Sequence, residues 1–288
     1  MANVNEWFKN RVAVLATMHQ KERAIAPVLE SELGVKVQVP ANFNTDFFGT
    51  FTREIKRLGT QIEAARLKAE KALEITGETL AIASEGSFFP HPAFPFVSCD
   101  REILLFLDKE HNLEIIGQEI SPETNHSHKT IKTVQEALDF AQKVGFPEHG
   151  LVVMVSVKST DHEEIFKGID TEETLIEAVE TALRKSPDGT IHLETDMRAM
   201  YNPTRMKVIE IATHNLIKKI HQQCPQCFCP GFDLVERQSG LPCGLCYAPT
   251  SLILLDIYQC QRCNYREEKR FPEGKETADP AQCIYCNP

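Results

Sequence analysis

Nine of the ten cysteines in this 288-residue chain lie in its last 65 residues, and eight of those form four C-x-x-C knuckles: Cys224/Cys227, Cys243/Cys246, Cys260/Cys263 and Cys283/Cys286. Two thiolates three residues apart on a tight turn grip one edge of a tetrahedral zinc ion, and a second knuckle closes the site. Four knuckles therefore supply two closed four-cysteine sites for two structural Zn²⁺ ions. The gaps between successive knuckles are 15, 13 and 19 residues, long enough for a short hairpin and too short for a helical domain, which is zinc-ribbon spacing. Phe232 to Glu236 and Leu252 to Ile257 read as ribbon strands, with turns at Pro230-Gly231 and Ser239-Gly240. Sequential pairing of the knuckles, first with second and third with fourth, is expected over cross-braced or nested arrangements and gives two tandem ribbons. Cys229 is read as a bystander rather than a substitute ligand, and Cys99 as a small buried apolar residue. Val12 to Met18 is too short and wrongly flanked for a secretory signal, so metal ligation is expected over disulfides and the chain reads as cytoplasmic.

Four further stretches place reactive groups where strands are expected to end and helices to begin, the usual position of sites in open α/β sheets. Thr17, His19 and Lys21 put a hydroxyl, an imidazole and an ammonium at a helix N-terminus, an anion cradle if they are more than a cap and a solvated lysine. Glu63 falls in the first turn of a helix, where the dipole favours a carboxylate, and Lys68 is five residues on and need not share its face. Ser84, Glu85, Gly86 and Ser87 end an apolar run, and a carboxylate flanked by two hydroxyls there reads as functional. From Glu194 to Arg205, an acidic pair, two arginines and an asparagine cap leave little for packing to explain. Arg205 in a first helical turn needs an anion, either a bound phosphate or a salt bridge to Asp196 or Glu194. His91, His126 and His128 read as solvated loop residues.

The elements that must position these groups follow from periodicity. Val12 to Ala16, Val35 to Val39, Leu80 to Ala83, Ile103 to Leu107, Leu113 to Ile116 and Leu151 to Val157 read as strands. Lys21 to Glu32, Gln61 to Thr76, Val134 to Val144 and Thr174 to Arg184 read as helices, with a capping box at Thr133/Glu136 and a stop at Gly145. Asn202-Pro203 opens a last helix that runs to about His221. The expected architecture is a mixed-sheet α/β domain over residues 1–222, then a double zinc ribbon over 223–288. Apolar content of 42% is enough for a core, and no stretch is long enough to span a membrane. Net charge is −10, and from Gln223 onward six Lys/Arg face eight Asp/Glu, so nonspecific nucleic-acid binding is not expected. The ribbon is then a folding staple, a dimer contact, or a dock for a protein or a specific RNA.

Over nearly its whole length the chain resembles an uncharacterised bacterial family of unknown function. The motifs that carry this are Thr17 to Glu22 (TMHQKE), Phe48 to Thr52 (FGTFT), Ala83 to Phe88 (ASEGSF), Glu194 to Ala199 (ETDMRA), Asn202 to Met206 (NPTRM) and the ending Cys286-Asn-Pro288. Residues 11 to 222 are also similar in layout to the inosine triphosphate pyrophosphatase family. Thr17, His19 and Lys21 match its T-x-N-x-K turn with histidine for asparagine, Glu63 and Lys68 its metal-binding helix, and Ser84 to Ser87 its D-D-S-G-like turn with one carboxylate for two. Phe146 to Gly150 lies at its base-pocket segment without that signature. The late S-H-R motif is absent, although Arg198 and Arg205 precede the last helix, and Lys158 to Thr195 has no counterpart in its smaller members. The resemblance implies metal-assisted hydrolysis of a phosphoanhydride. Glu63 and Glu85 would hold Mg²⁺, Lys21 would act beside them, and Thr17, His19, Lys68, Ser84, Ser87, Arg198 and Arg205 would bind a nucleotide or another phosphorylated metabolite. The alternative is a noncatalytic nucleotide- or metabolite-binding adaptor whose ribbons dock a partner.

Overall fold

The computed structural model describes residues 4–41, 43, 59–91, 93–159 and 161–288. The Phe48 to Thr52 motif lies outside the described residues. A short helix α1 (Asn5–Phe8) leads into β1 (Val12–Ala16), α2 (Glu22–Leu33) and β2 (Lys36–Gln38). Then come α3 (Gln61–Thr76), β3 (Leu80–Pro90), β4 (Ser98–Asp108) and β5 (Leu113–Ser121). These strands form one mixed sheet in the order β2-β1-β3-β4-β5, with β1 parallel to β2 and β3 and the β3-β4-β5 pairs antiparallel. Alternation along the strands divides the core in two. Leu80, Ile82, Leu104 and Phe106 pack against α2 and the last long helix α6 (Pro203–His221), whereas Ala81, Ala83, Ile103 and Leu105 pack against α3.

Between β5 and α6 the chain builds a second sheet from β6 (His128–Ile131), α4 (Val134–Val144), β7 (Leu151–Met154), β8 (Ile165–Ile169), α5 (Glu172–Lys185) and β9 (Ile191–Thr195). Its order is β6-β9-β7-β8, all neighbours antiparallel, and α4 and α5 cover one face over a separate apolar cluster. Lys158 to Thr195 thus supplies most of this second sheet.

The helices expected over Gln61–Thr76 and Val134–Val144 form with those bounds, and α6 ends at His221 where the first knuckle begins. Strand β3 runs seven residues beyond the expected Ala83, because in-register pairing with β4 from Leu80↔Asp108 to Pro90↔Ser98 carries its backbone hydrogen bonds through the polar motif. Thr133 caps α4 as expected, but the Glu136 carboxylate accepts from the Lys132 amide at 2.7 Å instead of from Thr133. The C-terminal part is an antiparallel ribbon of β10 (Asp233–Ser239), β11 (Ile253–Gln259) and β12 (Arg266–Arg270). Strand β12 reads Arg-Glu-Glu-Lys-Arg, with no apolar alternation by which sequence could reveal it. Among the described residues, no helix is long and apolar enough to cross a membrane.

Candidate functional site

From β1 the chain moves to β2 through α2 on one face of the sheet, and reaches β3 on the other side of β1 after α3 on the opposite face. The gap between the carboxyl ends of β1 and β3 is therefore a topological switch point, where open α/β sheets place ligands. Strand β1 ends with Ala16 opposite Ala83, and the polar motif of β3 begins at the next residue.

On the α2/α6 face, Lys21 at the start of α2 donates from Nζ to Ser84 Oγ at 2.9 Å and lies 3.7 Å from Glu102 Oε2. Arg205, in the first turn of α6, donates from Nε to Glu102 Oε1 at 2.6 Å and from Nη1 to the Met197 carbonyl. Its guanidinium lies 5.7 Å from the Phe88 ring centroid. Arg205 and Glu102 are both fully buried. Gly86 sits directly opposite Glu102 in the β3-β4 register, and a Cβ there would overlap both the Glu102 carboxylate and the Arg205 guanidinium. The glycine between Glu85 and Ser87 is thus space for an ion pair.

Asp100 lies two residues before Glu102 on the same strand and is buried, and neither of its oxygens accepts a hydrogen bond from the described residues. Burial first, and the Glu102 carboxylate second, push its carboxyl up to about 8. A proton held between the two carboxyls accounts for both facts. Burial pulls Lys21 down to about 8 against the opposing pull of Glu102.

On the α3 face, Lys68 Nζ pairs with Glu85 Oε1 at 2.6 Å, both side chains being nearly buried. Gln61 Nε2 donates to the Glu85 carbonyl at 3.3 Å and to the Arg101 carbonyl at 3.1 Å, tying the start of α3 to the β3-β4 ladder. Glu63 has another task. It is exposed, and its carboxylate accepts from the Thr60 amide at 2.7 Å while Thr60 Oγ1 accepts from the Glu63 amide, a complete capping box. Those Thr60 bonds hold its carboxyl below the usual range. Glu63 and Glu85 are not gathered into a metal-ligating group of three or more residues among those described.

Thr17 is buried at the end of β1, and His19 and Ser87 are half-buried. Arg198 is placed elsewhere: it pairs with Asp196 at 2.6 Å and stacks 4.7 Å over Tyr201, beside β8, whose Gly168 amide donates to Asp196. Arg205 takes its anion from Glu102, a residue sequence reasoning did not single out because 103 positions separate the two. The signal available was Asp100 and Glu102 at period two, leading into Leu104 and Phe106 on one strand face. His128 is likewise not a loop residue but lies in β6 opposite Glu194, its ring 5.5 Å from that of His192, while the His126 ring stacks on Phe88 at 5.2 Å.

The cysteines form two groups, Cys224/Cys227/Cys260/Cys263 and Cys243/Cys246/Cys283/Cys286, each with its sulfurs within 4.8 Å of one another. Cross-knuckle Sγ···Sγ separations are 3.6 Å and 3.6 Å in the first group and 3.8 Å and 3.6 Å in the second. A tetrahedron with Zn–S bonds of about 2.3 Å has edges of about 3.8 Å, so the donor set and spacing fit zinc in both. In every knuckle the amide after the second cysteine donates to the carbonyl of the first, at 2.8 to 3.1 Å, and Phe228, Tyr247 and Asn264 take left-handed φ to make that turn.

The pairing is first with third and second with fourth, not sequential. Strand β10 is a single seven-residue strand that carries the chain roughly 20 Å from the first knuckle to the second, β11 returns it, and β12 leads out again toward the fourth. Each four-cysteine cluster therefore ties one end of a shared ribbon. The first cluster is docked: Phe232 and Leu113 pack behind it, Gly231 lies against Ile115 of β5, and Lys219 of α6 pairs with Asp233 at 2.7 Å. Cys229 lies in that apolar packing, outside the four-sulfur group.

No curated protein matches the chain, so no named homologue supports the resemblance to the inosine triphosphate pyrophosphatase family. A family model described as a domain of unknown function (DUF6671) matches residues 68–288, a span that takes in Glu85, Asp100, Glu102, Arg205 and all eight knuckle cysteines. Matched over more than half its length, the chain belongs to the DUF6671 family.

Proposed function

We propose that the crevice at the switch point binds a phosphorylated small molecule or nucleotide and cleaves a phosphoanhydride bond in it with the help of a divalent cation. The observation that carries this reading is that Lys21 and Arg205 on one face and the Lys68–Glu85 pair on the other flank the stretch of β3 just beyond the carboxyl end of β1, near enough for Glu85, Lys68 and Arg205 all to act on the Lys21 charge. Lys21 and Lys68 bind phosphate oxygens, Ser84 and Thr17 donate hydroxyl hydrogen bonds, and Arg205 holds Glu102 in place behind them. Glu85 would hold Mg²⁺ once Lys68 turns to the phosphates, and the ion would neutralise charge developing on the phosphoryl oxygens. Glu63 acts as the cap of α3, and Arg198 as the partner of Asp196.

One observation favours a second reading, a binding module without catalysis: Lys21, Lys68 and Arg205 each already have a carboxylate partner. Phosphate and pyrophosphate release from a panel of nucleoside triphosphates, with Mg²⁺ or Mn²⁺, separates the two. The hydrolase reading expects release by the zinc-loaded chain that is lost in Glu85→Gln. Silence across the panel with nucleotide still bound gives the site to the binding module, and neither release nor binding overturns both.

A further inference from the structure

The two cysteine clusters are alike in ligand chemistry and opposite in their surroundings. In the first, the Cys260/Cys263 apex is polar and engaged: Gln261 exchanges hydrogen bonds with the Glu114 backbone at 3.1 and 2.6 Å, and the Arg262 guanidinium lies 5.3 Å over the Trp7 ring, while the Cys224/Cys227 knuckle exposes a single large apolar side chain, Phe228, at 45%. The knuckle apices of the second are apolar and face solvent. Leu245, Tyr247, Ile284 and Tyr285 are 68, 74, 71 and 70% exposed, and the Cys243–Cys286 and Cys246–Cys283 contacts hold their two knuckles side by side. Tyr247 also sits at φ +63°, a conformation in which a bulky residue is an outlier. Neither the backbone nor the core calls for a tyrosine there.

We propose that this tip is a self-association surface whose occupant is a second copy of the chain, related by a two-fold axis. Each knuckle presents one aliphatic residue and one tyrosine, Leu245 with Tyr247 and Ile284 with Tyr285. A half-turn sets the two knuckles of one copy against those of the other in swapped order, as an isologous interface requires. Aromatic side chains bury about 150–250 Å² each when fully covered. At about seven-tenths exposure, two tyrosines and two aliphatic residues offer roughly 500 Å² per copy, or about 1,000 Å² across the pair, where specific interfaces begin. The chain that passes the tip carries both signs in Lys275, Glu276 and Asp279, and six basic against eight acidic residues from Gln223 onward disfavour a nucleic-acid partner. A chain of net charge −10 repels its copy at long range, so added salt tightens an apolar contact of this kind.

Sedimentation equilibrium of the full zinc-loaded chain at low and high salt tests the proposal. The expected result is a weak monomer–dimer equilibrium that tightens with salt and weakens roughly tenfold or more in Leu245→Ser/Ile284→Ser, a change of about 1.4 kcal/mol or more. Phe94→Ser/Phe96→Ser, on the exposed β3-β4 hairpin, should leave it unchanged. Retention of two zinc ions per chain shows that the tip variant is folded, and Tyr285→Lys replaces it if zinc is lost. A chain that stays monomeric throughout, or a dimer that ignores the tip substitutions, overturns the proposal.

Discussion

The ribbon and the crevice both concentrate charged groups, but by opposite means. In the ribbon, eight side chains of one type come as adjacent pairs, and their chemistry lets an ion impose the geometry. In the crevice, Lys21, Lys68, Glu85, Asp100, Glu102 and Arg205 come from five separate parts of the chain, only Asp100 and Glu102 sharing a strand, and the packing of α2, α3 and α6 on the sheet imposes it. The difference predicts separate failure modes: the ribbon depends on metal, and the crevice on mutual neutralisation.

The largest expected effect follows from removing zinc. Structural zinc sites contribute roughly 10–16 kcal/mol of apparent binding energy to folding. Chelation should abolish amide-exchange protection in β10 to β12 while leaving that of β3 and β4 in place. Loss of both together would erase the distinction between the two regions.

Next is Glu102→Gln, which leaves Arg205 and Lys21 buried without their shared carboxylate. Denaturant unfolding should show a loss of about 3–5 kcal/mol, the range for breaking a buried pair from one side. A loss below about 1 kcal/mol, the worth of an exposed pair, would mean that the crevice is wet and its charges are not interdependent.

How much of each region was legible in the sequence follows the same division. Spacing of three residues between cysteines gave away the ligands, because a knuckle is local. Their interleaving was hidden because the strand read over Phe232 to Glu236 does not show by itself that it carries the chain away from the first knuckle to a separate cluster, as β10 does over Asp233–Ser239. The first β-α-β unit, α3, α4 and α6 were legible from apolar periodicity and caps. Glu85, Lys68 and Arg205 stood out in the sequence, but Glu102, the partner of Arg205, did not, because the β3-β4 register that sets Glu102 opposite Gly86 leaves no trace in local spacing. Glu63 was legible as a first-turn carboxylate, but its capping bond was not told apart from metal ligation, because both place a carboxylate at the same helical position.

A smaller effect sharpens the crevice side. Asp100 is raised from 3.8 to about 8, so between those values the folded state keeps a proton that the unfolded chain releases, and stability falls as pH rises. Asp100→Asn cannot ionise and should gain on wild type from pH 5 to pH 8 by on the order of 1–3 kcal/mol. Lys21, lowered from 10.5 to about 8, acts in the next window: the unfolded chain binds the extra proton there, and stability rises with pH. Thermal unfolding across both windows should show a minimum near pH 8, and a wild type that parallels the Asn variant would remove the shared proton. The smallest effect belongs to Glu63→Ala, which loses half a capping box and should cost about 0.5–1 kcal/mol in thermal unfolding while leaving nucleotide binding intact.

The contrast rests on the interleaving of the knuckles, and cadmium substitution tests it most directly. In a proton–cadmium correlation spectrum of the fully loaded chain, one metal should couple to the β-protons of Cys224, Cys227, Cys260 and Cys263, and the other to those of Cys243, Cys246, Cys283 and Cys286. Correlations from one metal to Cys224, Cys227, Cys243 and Cys246 together would contradict the account.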